Sequence, residues 1–263
     1  MPTLCCNGID LHVVRAGQGP RLLYCNGSGA TLAAVPWLLN RLAERFDVVA
    51  FDYRGMGASA PISEPYAMAD AAADMAGLLD ALGWEHTVML GWSFGGMVAQ
   101  EFAVSFPERL ERLALLSTSP GGAFPSFRLD TLADLPQQQR AARSLQLLDQ
   151  RWTPEWLAAH PADAALAKRI GGGESAGLSE SQQRGWCFQL QARKDHDVLE
   201  RLGKITCPTF VANGRCDGIA PVANGEAIVA RVPRASLHSY AGGHAFFEQD
   251  ASAWPDVIAS LGG

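Results

Sequence analysis

Short apolar runs alternate with longer amphipathic stretches through the first half of the chain. The apolar runs are too brief for buried helices and predict strands at residues 9–14, 21–25, 48–51, 88–92 and 113–116. Apolar residues recur at helical spacing over residues 32–45, 68–82 and 97–106. Because a helix separates successive strands from the second run onward, the pattern predicts βαβ units in a mostly parallel sheet flanked by helices.

This alternation stops after residue 122 and resumes near residue 205. Residues 123–202 contain helical stretches, many Gln and Arg residues and no convincing strand. The three glycines at 171–173 predict a flexible joint, because no strand precedes them and no Gly-Lys-Ser/Thr follows, as a phosphate loop requires. Strand, helix and strand patterns then return at 205–212, 222–232 and 236–240, before a final helix. We therefore predict a single α/β domain over residues 1–263, with residues 123–202 inserted as a helical lid.

Composition and charge narrow the class of protein. A chain of 263 residues that is 48% hydrophobic can bury a large core. The net charge of −6 provides no basic field for nucleic acid or anionic membranes, and no apolar run reaches transmembrane length. The six cysteines form no Cys-x-x-Cys pair, and we expect them to be reduced. With no recognisable signal peptide, we expect a cytoplasmic protein whose oligomeric state stays open.

The first candidate catalytic residues lie where the predicted strand at 88–92 meets the following helix. Residues 91–95 read Gly-Trp-Ser-Phe-Gly, and only a strand–turn–helix context of this kind makes a Gly-x-Ser-x-Gly motif a nucleophile elbow. The predicted nucleophile is Ser93, held at positive φ, with glycines on either side where a side chain would collide. The N–H of Phe94 at the helix N-terminus is a candidate oxyanion donor. The alternative is a glycine-rich βα turn with an incidental serine.

Two further junctions between a strand and a loop carry polar residues. Asn-Gly-Ser-Gly follows the run at 21–25, and such a loop can bring a backbone N–H, for which we nominate Ser28, to an oxyanion without obstruction. An ordinary glycine-rich turn is the alternative there. Asp52 and Arg54 follow the run at 48–51. A charged pair at a strand end usually fastens the loop, so a structural role is favoured over a catalytic one.

A serine nucleophile needs an adjacent base that is oriented by a carboxylate. His244 follows the last strand and lies on a loop between glycines and aromatic residues, which suits a base. His238 is the nearest rival, but it alternates within a strand. Asp217 follows the strand at 205–212 directly, whereas the loop at 117–122 offers no acid.

Taken together, these motifs resemble the α/β-hydrolase superfamily over essentially the whole chain. The matching pieces are the elbow at 91–96, the loop at 51–59, the acid segment at 214–217 with Pro221, the Gly-Gly-His at 242–244, and the segment 197–208. The order Ser, Asp, His is the one expected for this fold. The chain departs from many members by having Asn26-Gly27 in place of His-Gly. Serine at the elbow is unlike haloalkane dehalogenases and epoxide hydrolases, and the finer resemblance is to 3-oxoadipate enol-lactonase-like proteins and small carboxylesterases.

The resemblance implies a catalytic triad of Ser93, Asp217 and His244, with backbone donors at Phe94 and Ser28. It implies hydrolysis of a small ester or lactone through an acyl-enzyme, without a metal or organic cofactor. Two alternatives use the same fold: a carbon–carbon bond hydrolase of a diketone-like substrate, and a ligand receptor without turnover. The candidate substrate-binding residues are aromatic: Trp92, Trp186 and Phe188.

Overall fold

The computed structural model describes residues 3–171 and 178–263, so Gly172 and Gly173 of the predicted joint lie outside the described residues. The strands are β1 Thr3–Cys6, β2 Ile9–Ala16, β3 Arg21–Cys25, β4 Asp47–Phe51, β5 Thr87–Trp92, β6 Leu110–Leu116, β7 Thr209–Gly214 and β8 Ala235–Tyr240. They form one sheet in the order β1-β2-β4-β3-β5-β6-β7-β8. The pairs β1–β2 and β2–β4 are antiparallel, and every pair along the rest of that order, from β4 through β3 to β8, is parallel. The predicted fold class, a mostly parallel sheet flanked by helices, is therefore confirmed.

The helices connect the parallel strands and cover both faces of the sheet. They are α1 Pro36–Ala43, α2 Met68–Ala81, α3 Phe94–Ser105, α4 Gln137–Leu148, α5 Pro154–Ala159, α6 Pro161–Ile170, α7 Glu180–Lys194, α8 Val222–Val229 and α9 Ala253–Leu261. The helix predicted over 32–45 is divided into a 3₁₀ turn at Leu32–Ala34 and α1. The division falls at Pro36, whose fixed φ and missing N–H suit the first position of a new helix.

The central strand β5 shows how the sheet separates two cores. All six of its residues are buried, as expected for a parallel strand covered on both faces. Met89 packs with the core under α2, α3 and α8, whereas Val88 and Leu90 pack with the core under α1 and α9. Because side chains alternate along a strand, a continuous apolar run supplies both cores at once.

Helices α4 to α7 all lie between β6 and β7 in the chain. This inserted segment has two small apolar clusters of its own, one of which includes Ile219 from the loop after β7. It therefore packs over loops at the carboxyl ends of the parallel strands, the edge where α/β folds bind ligands. No helix within 3–171 and 178–263 is long and apolar enough to span a bilayer. All six cysteines are free thiols.

Candidate active site

Ser93 occupies the turn between β5 and α3. Its φ is 57°, a strained conformation that costs about 1–3 kcal/mol and persists only where the fold enforces it. A Cβ added at Gly91 would lie 2.5 Å from the carbonyl oxygen of Gly95, and one at Gly95 would lie 2.0 Å from that of Cys25. Only glycine fits at these two positions, so they permit the sharp turn on which Ser93 sits.

Two hydrogen bonds to the end of β6 and the loop after it fix the backbone of Ser93. Its N–H donates to the carbonyl of Leu116 at 2.9 Å, and the hydroxyl of Thr118 donates to the Ser93 carbonyl at 2.7 Å. Ser93 is only 5% exposed and lines a cavity at the carboxyl edge of the sheet. The turn therefore presents a hydroxyl to a sheltered space rather than to bulk water.

His244 and Asp217 meet on two neighbouring loops, after β8 and β7. The Nδ1 atom of His244 lies 2.8 Å from Oδ2 of Asp217, and both residues are buried. The other carboxylate oxygen accepts the backbone N–H groups of Ile219 and Ala220 at 2.8 and 2.9 Å. Asp217 is thus fixed by its own loop, and its second oxygen faces the imidazole.

The loop that carries His244 is attached at two further points. The indole N–H of Trp92 donates to the His244 carbonyl at 3.0 Å, and the His244 N–H donates to the carbonyl of Leu148 at 2.6 Å. Trp92 belongs to β5, and Leu148 is the last residue of α4. Both the residue beside Ser93 and the inserted segment therefore help to hold the imidazole at the cavity.

The glycine-rich loop after β3 forms the opposite wall. A Cβ added at Gly27 would lie 3.6 Å from the Cβ of Ser93, so this backbone runs directly past the serine. The Gly27 N–H donates to Oδ1 of Asn26 at 2.9 Å, and the Gly29 N–H donates to Oε1 of Gln189 at 2.7 Å. Between them, the N–H of Ser28 has no acceptor in the part of the chain that the structure describes. The Asn26 that replaces the usual histidine thus orders the first peptide of the loop.

The cavity brings together several of the residues that the sequence nominates. Ser28, Trp92, Ser93 and His244 all line it. Trp186 and Phe188 are not among the residues that line the cavity. The Trp186 ring lies against Gly29, so closely that a Cβ added there would lie 2.8 Å from the ring. Phe188 packs on the main core. Part of the apolar wall comes from Val35 and Trp37 at the start of α1. Another part comes from the inserted segment and the acid loop, namely Leu129, Leu148, Ile170 and Ile219.

These lining residues carried no signal in the sequence. An apolar residue in a helical segment predicts core, and nothing in the local pattern separates a core position from a cavity wall. The same holds for Gln189 and Arg193, which contact the loop after β3. Their partners lie 160 and 165 positions away along the chain.

Other candidate residues have structural partners. Asp52 accepts backbone N–H groups from Leu32 and Ala58 and contacts His12, whereas Arg54 forms a bidentate ion pair with Asp74. Both therefore fasten the loop, as favoured from the sequence, but they do so through separate partners rather than as one pair.

The rival base His238, the buried His196 and the buried thiol of Cys25 lie in surroundings that do not suit a base or a nucleophile. His238 is exposed on β8, where its ring stacks on Phe210 with 4.6 Å between centroids. Burial lowers the pKa of His196 to about 3, so its imidazole stays neutral. Burial also raises the pKa of the Cys25 thiol, and a buried thiol of that kind is inert. Across the described ranges, no group of three or more His, Cys, Asp or Glu side chains is arranged to hold a metal ion.

Comparison with known proteins gives a consistent result over nearly the whole chain. The sequence profile of the alpha/beta hydrolase fold matches residues 20–251. A solved structure of a hydrolase from Pseudomonas aeruginosa PA01 superposes with a TM-score of 0.77 and 27% identity, covering 100% of this chain and 98% of that one.

Two curated relatives illustrate the range of similar proteins. Polyketide synthase ThaQ of Burkholderia thailandensis is 31% identical over 97% of this chain, and the chain spans only 12% of ThaQ. The 3-oxoadipate enol-lactonase 2 of Acinetobacter baylyi is 25% identical over 98% of this chain and 95% of that protein.

Proposed function

Because this chain belongs to the alpha/beta hydrolase fold family and is a hydrolase, we propose that it cleaves a small ester or lactone through an acyl-enzyme. The observation that carries the proposal is the buried contact of 2.8 Å between His244 and Asp217, made beside a cavity that Ser93 also lines. Similarity to an enol-lactonase along 95% of that protein's length supports a carbonyl substrate of this class.

In the proposed first step, His244 accepts the hydroxyl proton of Ser93 while the oxygen attacks the substrate carbonyl. Asp217 holds Nδ1 of the imidazole, so Nε2 is the nitrogen available to the serine, and the carboxylate stabilises the imidazolium that forms. His244 then gives this proton to the departing alcohol or enolate oxygen. The product of the step is a Ser93 ester.

The negative charge that develops on the carbonyl oxygen needs donors that are already in position. The N–H of Phe94 lies at the start of α3, where the helix dipole favours an anion. Ser28 lines the opposite wall of the cavity, and its N–H has no acceptor among the described residues. We assign the oxyanion hole to these two groups.

A water molecule then releases the acid. His244 removes a proton from this water, the hydroxide attacks the Ser93 ester, and the same oxyanion hole stabilises the second tetrahedral intermediate. No step requires a metal or an organic cofactor. Residues 123–202 act in this proposal as a lid, because they contribute Leu129, Leu148 and Ile170 to the apolar wall that faces the acyl group.

Turnover by the purified protein tests this function. We expect it to hydrolyse several short esters or lactones from a mixed panel, and Ser93→Ala to show none of that activity. Preferred cleavage of a vinylogous diketone over every ester would establish the carbon–carbon alternative. Release of one product equivalent per chain and no more would establish the receptor alternative.

A further inference from the structure

One face of α7 packs against the loops that surround the cavity. Gly185 packs against the backbone of Gly55 so closely that a Cβ added at Gly185 would lie 2.2 Å from the carbonyl oxygen of Gly55. One residue further on, the Trp186 ring covers Gly29. Residues 185, 186, 189 and 193 share one side of the helix, because their spacing follows its 3.6-residue period.

The two polar residues of this face bind adjacent residues of the loop after β3. Oε1 of Gln189 accepts the N–H of Gly29 at 2.7 Å, and Nη1 of Arg193 donates to the hydroxyl of Ser28 at 3.1 Å. Gln189 is fully buried and Arg193 is 6% exposed. Neither side chain can therefore exchange these bonds freely for bonds to water.

These contacts lie directly beside the backbone group assigned to the oxyanion hole. Gly27 and Gly29 have their N–H groups bound to Asn26 and Gln189, one on each side of Ser28. The Gln189 bond fixes the peptide that follows Ser28, and the Arg193 bond fixes its side chain. Together they restrict the motion of the Ser28 backbone, whose N–H is one of the two groups assigned to the oxyanion hole.

We propose that Gln189 and Arg193 are positioning residues that hold the Ser28 N–H at the oxyanion site. The inference rests on the proposed function, and it assigns part of the rate of that reaction to the inserted segment. Neither residue is among those that line the cavity. Each acts through a hydrogen bond to the loop.

The size of the expected effect follows from the sensitivity of the oxyanion hole. Removing one donor costs about 10²–10³ in kcat, and a displacement near 1 Å costs on the order of 10². Loss of a positioning bond lets the donor move without removing it. We expect Gln189→Ala to lower kcat by about 10- to 100-fold.

The experiment compares three variants on the ester that the wild type hydrolyses best. Gln189→Ala removes the acceptor, and Gln189→Glu keeps an oxygen at the same reach. Gln183→Ala is the matched control, because Gln183 is exposed on the same helix and its amide donates to the carbonyl of Leu178, with no bond to the loop after β3 among the described residues. The readouts are kcat, KM and the affinity for a boronic acid, which places a tetrahedral oxyanion mimic in the hole.

We expect Gln189→Ala to lose kcat and boronate affinity in parallel, with KM changed by less than about threefold, as for an interaction made only in the transition state. Gln189→Glu should recover most of both losses, and Gln183→Ala should match the wild type. A Gln189→Ala enzyme with wild-type kcat and boronate affinity would overturn the inference. So would a Gln189→Glu enzyme that folds and is as slow as Gln189→Ala.

Arg193 offers a second route if Gln189→Ala does not fold. Arg193→Met removes the donor to Ser28 but keeps an apolar stem of similar length, and it should reduce kcat and boronate affinity together. Retention of both would contradict the role of Arg193. Absence of Ser93-dependent hydrolysis in the wild type would instead refute the proposed function, so the two failures are distinguishable.

Discussion

The imidazole of His244 and the carboxylate of Asp217 are joined by a contact of 2.8 Å between Nδ1 and Oδ2, although the two residues are 27 positions apart in the chain. The contact is possible because β7 and β8 are neighbours in the sheet and both loops leave its carboxyl edge. Two backbone N–H groups hold the other oxygen of Asp217. The pair is therefore oriented before any ligand binds.

The first prediction concerns the nucleophile. Ser93→Ala should abolish hydrolysis, with a loss on the order of 10⁶ in kcat, because removing the serine of such a triad leaves only binding and the oxyanion hole. A fluorophosphonate should add one group to the wild type and none to the variant, as measured by intact mass. Labelling that survives the substitution would show that another side chain reacts.

The second prediction separates the two rival histidines. His244→Gln should lose nearly all activity, because the serine is left without a base. His238→Gln is the matched control and should keep wild-type kcat, because that ring is exposed and stacks on Phe210 away from the cavity. Steady-state kinetics on one ester decide the matter, and an inactive His238→Gln beside an active His244→Gln would reverse the assignment.

The third prediction contrasts two buried aspartates that each face a histidine. Asp217→Asn should lower kcat by about 10⁴ without a large loss of stability, since the amide favours the wrong imidazole tautomer. Asp52→Asn should instead lower the free energy of unfolding by about 1–3 kcal/mol and spare the rate of the folded enzyme. Leu32 and Ala58 bind different oxygens of Asp52, so an amide can accept only one of the two N–H groups, whereas both N–H groups bound to Asp217 share one oxygen. Urea unfolding and kcat on the same preparations test both halves. Equal kinetic losses in the two variants would contradict the distinction.

The fourth prediction concerns acyl-chain preference. Ile170→Ala should enlarge the cavity and shift the ratio of kcat/KM between long and short acyl esters by about 10- to 200-fold, the range for one or more methylenes. Phe188→Ala serves as the comparison, since Phe188 packs on the main core and should change all esters in equal proportion. If Phe188→Ala shifts the ratio and Ile170→Ala does not, the specificity wall lies where the sequence alone placed it.

The fifth prediction is a pH dependence of stability. Burial lowers the pKa of His196 to about 3 in the folded state, whereas an unfolded histidine titrates near pH 6.5. Between about pH 6.5 and pH 3, the unfolded chain binds a proton at this histidine and the folded chain does not. The free energy of unfolding therefore falls as the pH decreases through this range. The loss is about 1.4 kcal/mol per pH unit.

Urea unfolding at pH 7.5 and pH 5.0 measures this contribution. The wild type should lose about 2 kcal/mol more than His196→Leu between the two pH values. The comparison uses each protein as its own reference, so a general destabilisation of the variant does not affect it. Equal losses in both proteins would show that His196 is not a buried neutral histidine.

The chemistry that was predictable from the sequence depends on local patterns. Gly91 and Gly95 identify the turn because no other residue fits so close to the neighbouring backbone. Asp217 and His244 each follow a recognisable strand, and parallel strands bring their carboxyl ends to one edge. Local spacing and that one rule were enough to nominate all three residues.

The residues that the sequence did not reveal depend on contacts between distant segments. Gln189 reads as one of many glutamines in a helical segment, and only the packing of α7 brings it to Gly29. The sequence predicts Trp186 and Phe188 as pocket wall because they are large and apolar, but such residues fill cores equally well. The sequence pairs Arg54 with Asp52, whereas in the structure Arg54 forms its ion pair with Asp74 on α2.

The hydrogen bond from the His244 N–H to the Leu148 carbonyl has a consequence for the design of chimeras. Exchanging residues 123–202 for the corresponding segment of a relative is an obvious way to change substrate range. In this protein the exchange would also remove an anchor of the imidazole loop, together with the α7 side chains that bind Ser28 and Gly29. A transplanted segment need not place a backbone carbonyl opposite the His244 N–H or a side-chain amide opposite the Gly29 N–H. A segment without them would alter turnover along with selectivity, so each graft needs those two acceptors rebuilt first.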